Sequence, residues 1–110
     1  MSINTFVGTK VHVKVDRPIG SKHPQWGHTY PLNYGYVPGT TGKDGEPIDA
    51  YILGVIEPIG EFSGTCVAII HRLQDEDKLV VAREGQNYSN EEITELTSFQ
   101  EKHFRSIILR

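Results

Sequence analysis

The sequence predicts a mainly β fold: a small closed or partly open barrel with one C-terminal helix. Three observations support this prediction. Several short apolar runs are separated by turns rich in Gly and Pro, one early run alternates strictly with polar residues, and one helical pattern lies near the C-terminus. Several short strands joined by turns of this kind are typical of a small barrel.

Size and charge limit the possible functions. The 110 residues predict a single domain over residues 1–110, and 37% hydrophobic with 23% charged residues is ordinary for a globular protein. A net charge of −3 argues against non-specific nucleic-acid binding, which needs a basic surface. No apolar signal region or run of membrane-spanning length occurs, so we expect a cytoplasmic protein without a membrane partner.

The first strand is predicted from alternation. Val11, Val13 and Val15 are separated by polar residues, as in a strand with one buried face, and Pro18 and Gly20 end it. Residues 20–29 form a polar loop, in which we expect Trp26 to pack over the mouth of the barrel.

The central part of the chain predicts further strands. Residues 30–49 contain too many Gly and Pro residues for a helix, and residues 50–56 are apolar enough for a strand buried on both faces. Residues 57–60 are a turn, and Gly64 indicates a second turn. Residues 66–73 and 78–83 then form a hairpin around the acidic turn between them. Cys66, the only cysteine, lies within this hairpin and is expected to be buried and inert.

The C-terminal helix is predicted from its start signal and its periodicity. Ser89 and Glu92 form a capping-box pair. Apolar or aromatic residues then recur at helical spacing: Ile93, Leu96, Phe99, His103 and Ile107. We expect one helix over residues 90–105.

Three acids are concentrated in one stiff segment before the central apolar strand. Asp44 and Glu46 are two residues apart, so an extended backbone would place both on one side, and Pro47 favours that geometry at Glu46. Asp49 follows at the strand entrance. These carboxylates repel one another unless a cation binds, and hard oxygen ligands suit Mg²⁺, Mn²⁺ or Ca²⁺. A solvated acidic turn is the alternative interpretation.

Two motifs carry a family resemblance. Residues 44–49 read acid, small residue, acid, proline, apolar residue, acid, and residues 30–36 read Tyr-Pro-Leu-Asn-Tyr-Gly-Tyr. At this separation the two motifs resemble the soluble inorganic pyrophosphatases of family I, and the chain is identified as a short, divergent member. Glu46 stands where the family usually has an aspartate, and the N-terminal strand and hairpin are cut down.

The resemblance implies a fold, an activity and a site. The fold is a five-stranded, OB-like β-barrel, and the activity is Mg²⁺-dependent hydrolysis of pyrophosphate, with Mn²⁺ possible in place of Mg²⁺. The implied catalytic residues are Glu46, as the base, and Tyr34. The implied metal ligands are Asp44, Asp49, Asp75 and Asp77, although the choice among Asp75, Glu76 and Asp77 stays open. The implied substrate-binding residues are Lys78, Arg105 and Arg17. A homo-oligomer is expected on the same basis.

Other functions remain as alternatives. The chain could be a non-catalytic module that binds metal and phosphate or a nucleotide, or a hydrolase of another small phosphoanhydride. A barrel that binds nucleic acid or protein is disfavoured by the negative charge. The five histidines lack the spacing of a zinc site.

Overall fold

The computed structural model describes residues 3–110, which form six strands, one α-helix and a short 3-10 helix at Ile3–Phe6. The strands are β1 (Lys10–Arg17), β2 (Asn33–Val37), β3 (Ile48–Ile52), β4 (Glu61–Arg72), β5 (Asp77–Ala82) and β6 (Ser106–Leu109), and the helix is α1 (Asn90–Glu101). Within residues 3–110, no helix is both long enough and apolar enough to cross a membrane.

Five of the strands close into a barrel. The order is β1-β2-β3-β5-β4, and β1 also pairs with β4, which completes the ring. All of these pairings are antiparallel except that of β3 with β5. Strand β6 lies outside the ring and pairs with β4. The prediction of a mainly β, five-stranded barrel with one C-terminal helix is therefore confirmed.

The core has two parts because several strands are buried on both faces. Side chains from all five barrel strands fill the interior, including Val13, Ile52, Ile69 and Leu79. The alternate residues of β3 and β5, such as Tyr51 and Val80, pack on the outer face together with Ile93 of α1. The central run therefore has apolar residues at successive positions, as expected for a strand covered on both sides.

Two strand boundaries differ from the prediction. Strand β3 was expected over residues 50–56 but ends at Ile52, because the chain turns at Gly54 (φ 81°), and Ile56 is 93% exposed. The turn predicted at Gly64 is wrong, since this residue lies inside β4. A Cβ at Gly64 would lie 2.5 Å from both the Ala82 carbonyl oxygen and the Phe62 ring. Glycine here permits a close approach of two strands rather than a turn.

The start of the helix is confirmed, but its end is not. The Glu92 amide donates to Ser89 Oγ at 3.1 Å, and the Ser89 amide donates to the Glu92 carboxylate at 2.8 Å, completing the capping box. The helix ends at Glu101 instead of residue 105. The following residues form β6, because the edge of β4 offers backbone partners to the chain there.

Candidate functional site

The centre of the candidate site is an ion pair formed by neighbouring strands. The parallel register of β3 and β5 sets Asp49 beside Lys78. Lys78 Nζ donates to Asp49 Oδ2 at 2.6 Å, and the Tyr34 hydroxyl donates to the same oxygen at 2.9 Å. Lys78 is only 3% exposed. A buried ammonium requires such an anionic partner, so the ion pair contributes to the fold as well as to the candidate site.

These groups lie on the outer face of the barrel. Strand alternation places Asp49 on the same face as Tyr51, and Lys78 on the same face as Val80. This is the face that packs against α1. The site is therefore beside the helix, near the strand ends, rather than inside the mouth of the barrel.

Tyr34 is held in its neutral form. Burial raises its pKa well above the ordinary value of 10.0, and the neighbouring negative charge of Asp49 raises it further. The phenol therefore remains a hydroxyl donor at all physiological pH values, and it positions the Asp49 carboxylate.

Further carboxylates face this centre. Glu76 Oε2 lies 3.9 Å from Lys78 Nζ. Burial raises the pKa of Glu76, opposed by Lys78, while the charges of Asp44 and Asp49 raise it further. Burial also raises the pKa of Asp16, opposed by Arg17 and reinforced by Asp49. The acids of three separate chain segments are thus close enough to repel one another.

The acidic turn at residues 43–46 is closed rather than extended. The Gly42 amide donates to the Glu46 carbonyl at 2.7 Å, and Gly45 has φ 84°. Asp44 Oδ1 accepts from the Glu46 amide at 3.0 Å, and this bond lowers the pKa of Asp44. Asp44 and Glu46 are both exposed. The expectation that an extended backbone places them on one side is wrong, because the glycines bend the chain.

The structure separates the other two predicted acids from Asp49. Asp77 contacts His71 Nδ1 at 2.6 Å, and Asp75 accepts from Arg72 at 3.0 Å. Asp77 precedes Lys78 in β5 and therefore faces the opposite side of the sheet. Of the three acids in this turn, Glu76 is the one that lies near Lys78 and Asp49.

The residues of the candidate site described above line a polar cleft of about 290 Å³, except for those on the exposed turn at residues 43–46. It is lined by Asp16, Arg17, His23, Pro24, Trp26, Tyr30, Tyr34, Asp49, Arg72, Glu76, Lys78 and Gln100. Of the residues predicted to bind phosphate, Arg17 and Lys78 therefore line this cleft. Arg105 lines different cavities, next to Leu73 and Phe104. Trp26 lies at this cleft, beside the barrel.

Some cleft residues had little or no sequence signal. Glu76 could have been selected from its i, i+2 relation to Lys78, which places both on one side of an extended chain. Arg72 and Gln100 are far apart in sequence and reach the cleft only through the contact between β4 and α1. Trp26 and His23 come from a loop that carries no motif.

The comparison with protein families identifies the chain. The family model of inorganic pyrophosphatase matches residues 7–108. The chain belongs to the inorganic pyrophosphatase family. A curated inorganic pyrophosphatase of Helicobacter pylori is 62% identical over 24 residues, which cover 22% of this chain and 14% of that relative.

Solved structures of inorganic pyrophosphatases share the fold. The enzyme from Ehrlichia chaffeensis has a TM-score of 0.69 at 13% identity, covering 91% of this chain and 84% of that chain. The one from Helicobacter pylori has a TM-score of 0.63 at 18% identity, covering 86% and 75%. The one from Thermus thermophilus has a TM-score of 0.62 at 17% identity, covering 92% and 80%. At these identities the likeness establishes the common barrel.

Proposed function

We propose that this pyrophosphatase-family protein hydrolyses inorganic pyrophosphate to phosphate, with Mg²⁺ or Mn²⁺ as the required ion. The main supporting observation is the buried contact of Lys78 and Tyr34 with one oxygen of Asp49 at a polar cleft. In this position an ammonium group can bind a phosphate oxygen while a carboxylate remains available to a cation.

The donor set fits a hard divalent cation. Four carboxylates lie at or beside the cleft: Asp16, Asp44, Asp49 and Glu76. Burial raises the pKa of Asp16 and Glu76, and the charges of neighbouring carboxylates raise it further; a bound cation would relieve this repulsion. Among residues 3–110, no three Asp, Glu, His or Cys side chains already converge as a ligand set. Metal binding would therefore draw these side chains together.

The proposed ligands differ in part from those implied by the resemblance. Asp44 and Asp49 are retained. Asp16 and Glu76 take the place of Asp75 and Asp77, because the latter two are engaged by Arg72 and His71. Asp16 and Glu76 also line the cleft, whereas Asp75 and Asp77 do not.

Different residues in and near the cleft have different roles in this proposal. A bound Mg²⁺ ion would supply charge neutralisation and a more acidic water. Lys78 and Arg17 bind phosphate oxygens, while the Tyr34 hydroxyl holds Asp49 in place. Glu46 does not line the cleft but lies on the same turn as Asp44, and the resemblance alone assigns it as the acceptor of the attacking water's proton. Its extra methylene, relative to aspartate, shifts the carboxylate by about 1 Å, a displacement that costs about 10²-fold in rate if uncorrected.

The test is phosphate release from pyrophosphate with Mg²⁺. Replacing Lys78 with Met should lower kcat/KM by about 10²-fold or more, because a buried cationic donor to the substrate is lost. The matched control is Lys43→Met, which removes an exposed lysine whose ammonium lies 3.9 Å from Asp77. It should change kcat/KM by less than about twofold. The catalytic proposal fails if the wild type releases no more phosphate than Asp49→Asn.

A non-catalytic binding module is the second candidate. Two observations favour it: Lys78 already neutralises Asp49, and Glu46 stands where the resembled family usually has an aspartate. Such a module would show a higher melting temperature with pyrophosphate only when Mg²⁺ is present, without phosphate release. The same protein samples therefore distinguish the two candidates.

The proposal also includes the partners, the location and the assembly of the protein. The net charge of −3 supports the exclusion of nucleic acid as a partner. Family membership supports a cytoplasmic location and a homo-oligomeric assembly.

A further inference from the structure

A partly exposed tryptophan forms one wall of the polar cleft. Trp26 is 46% exposed, and it lines the same cleft as Asp49 and Lys78. Bare pyrophosphate offers only charged oxygens and would leave the exposed part of this indole in water. Ligand pockets are lined largely by apolar and aromatic side chains, so a partly exposed indole at a cleft offers apolar surface to a ligand.

The loop holds the indole in a defined position. The amides of Gln25 and Trp26 both donate to His23 Nδ1, at 3.1 and 3.0 Å. The His23 amide donates to the His28 carbonyl at 2.8 Å, and Lys22 pairs with Thr29 at the base of the loop. The His23 ring stacks on Trp26 with 4.5 Å between centroids and 8° between planes. The tryptophan is therefore pre-organised, so little entropy is lost on binding.

The chain after α1 supports the same ring from another side. His103 lies 4.7 Å from Trp26 between ring centroids, and Phe104 lies 5.8 Å away. The planes of the His103 and Phe104 rings are inclined to the indole plane by 52° and 43°. The indole is thus contacted by two separate segments, while Trp26 remains 46% exposed.

The cleft therefore has two chemically distinct parts. One part contains Lys78, Arg17 and the carboxylates, and the other contains Trp26 and His23. Its volume of about 290 Å³ is at the small end for ligand pockets, so a diphosphate would fill the polar part and leave a larger substituent at the aromatic edge.

We propose that the cleft accepts a nucleoside diphosphate, with the base packed against the exposed part of Trp26 and the phosphates at Lys78 and Arg17. This inference rests on the proposed function for the phosphate half of the site. Hydrolysis would add one water: its oxygen bonds to the terminal phosphorus, and the bond from that phosphorus to the bridging oxygen breaks. The bridging oxygen leaves on the nucleoside monophosphate, inorganic phosphate forms, and one proton is released.

The experiment compares ADP with inorganic pyrophosphate in the presence of Mg²⁺. Trp26 is the only tryptophan, so its fluorescence in the wild type reports occupancy of the aromatic part directly. Calorimetry then gives the ratio of the two affinities in Trp26→Ala, Trp26→Phe and Ile56→Ala. The last variant is the control, since Ile56 is a fully exposed side chain away from the cleft.

The expected result is a change of ligand preference. ADP should quench Trp26, and Trp26→Ala should lower the affinity for ADP relative to pyrophosphate by about tenfold. Trp26→Phe should retain most of the preference, and Ile56→Ala should retain all of it. An unchanged ratio in Trp26→Ala, or no binding of ADP to the wild type, would overturn the proposal. Binding of ADP without phosphate release from ADP would support the proposed binding site and exclude hydrolysis of ADP, while the separate assay of phosphate release from pyrophosphate decides the catalytic function.

Discussion

At the scale of single residues, one carboxylate oxygen connects the fold to the site. Asp49 Oδ2 accepts from both Lys78 and Tyr34, so its position depends on two neighbouring strands. A phosphate that attracts Lys78 would weaken its bond to Asp49 and make that carboxylate available to a cation. Anion and cation binding are therefore expected to favour each other at this point.

The conformation of the tryptophan loop should depend on the charge of one histidine. His23 Nδ1 accepts two backbone N–H groups, which only the neutral ring can do. Burial and the neighbouring positive groups His28, Arg17 and His103 lower its pKa below the ordinary 6.5. Because the folded pKa is the lower one, the stabilisation is complete above pH 6.5 and is lost as the pH falls through the folded pKa.

Acid titration followed by Trp26 fluorescence measures this transition. The midpoint should lie below pH 6.5, as the two backbone bonds break and the indole becomes more mobile. In His23→Asn the side-chain oxygen can still accept a hydrogen bond but does not titrate, so the transition should disappear. A transition of equal size in that variant would assign it to His28 or His103 instead.

At the scale of elements, closure of the barrel depends on a close approach of β1 and β2. Gly35 pairs with Val15 next to an irregularity in β1. A Cβ at Gly35 would lie 1.9 Å from the Lys14 carbonyl oxygen and 2.8 Å from the Val15 Cα, both backbone atoms. Backbone atoms cannot move aside as a flexible side chain can, so the strands would have to separate.

Gly35→Ala should therefore destabilise the fold by about 3 kcal/mol or more, measured by urea denaturation. The matched control is Gly60→Ala, since a Cβ at Gly60 meets no atom within 4 Å. That variant should change the free energy of unfolding by about 0.5 kcal/mol or less. Equal effects of the two substitutions would contradict the close approach.

At the scale of the whole molecule, a buried polar network joins the helix to the barrel. Arg72 of β4 donates twice to Glu101 of α1, at 3.0 and 2.6 Å. The Tyr51 hydroxyl donates to the same carboxylate at 2.6 Å, and Gln100 connects Tyr51 to Tyr30. Burial alone would lower the pKa of Arg72, but its bonds to Glu101 raise it, so the guanidinium stays charged. Arg72, Gln100 and Tyr30 of this network also line the cleft, so the network joins the cleft to the helix.

Breaking the network should cost more than losing an exposed ion pair. Arg72→Met leaves the Glu101 carboxylate buried without its cation, which typically costs about 3–5 kcal/mol. Thermal or urea unfolding measures the loss. Arg83→Met is the matched control, because Arg83 is exposed and bonds only a backbone carbonyl among the interactions found for its side chain in residues 3–110. A cost for Arg72→Met no greater than that of the control would contradict a structural role.

Local patterns were sufficient for much of the fold. The alternation of Val11 and Val13 predicted β1, and Ser89 with Glu92 predicted the start of α1, because both signals act between residues close in sequence. The two motifs around Tyr34 and Asp49 predicted the family. The end of α1 and the whole of β6 were missed, since the free edge of β4 decides them and no local pattern describes that edge.

The candidate site was less predictable than the fold. The sequence by itself determined the family, and it predicted Asp49, Tyr34 and Lys78 as site residues because each belongs to a motif or follows an acidic turn; the structure places Tyr34 and Lys78 against Asp49. Only the tertiary structure decided that Glu76 faces them while Asp75 and Asp77 do not, and that Trp26 borders the same cleft. The reason is physical: side-chain direction in a turn and contacts between distant segments depend on strand register and packing, which neighbouring residues do not specify.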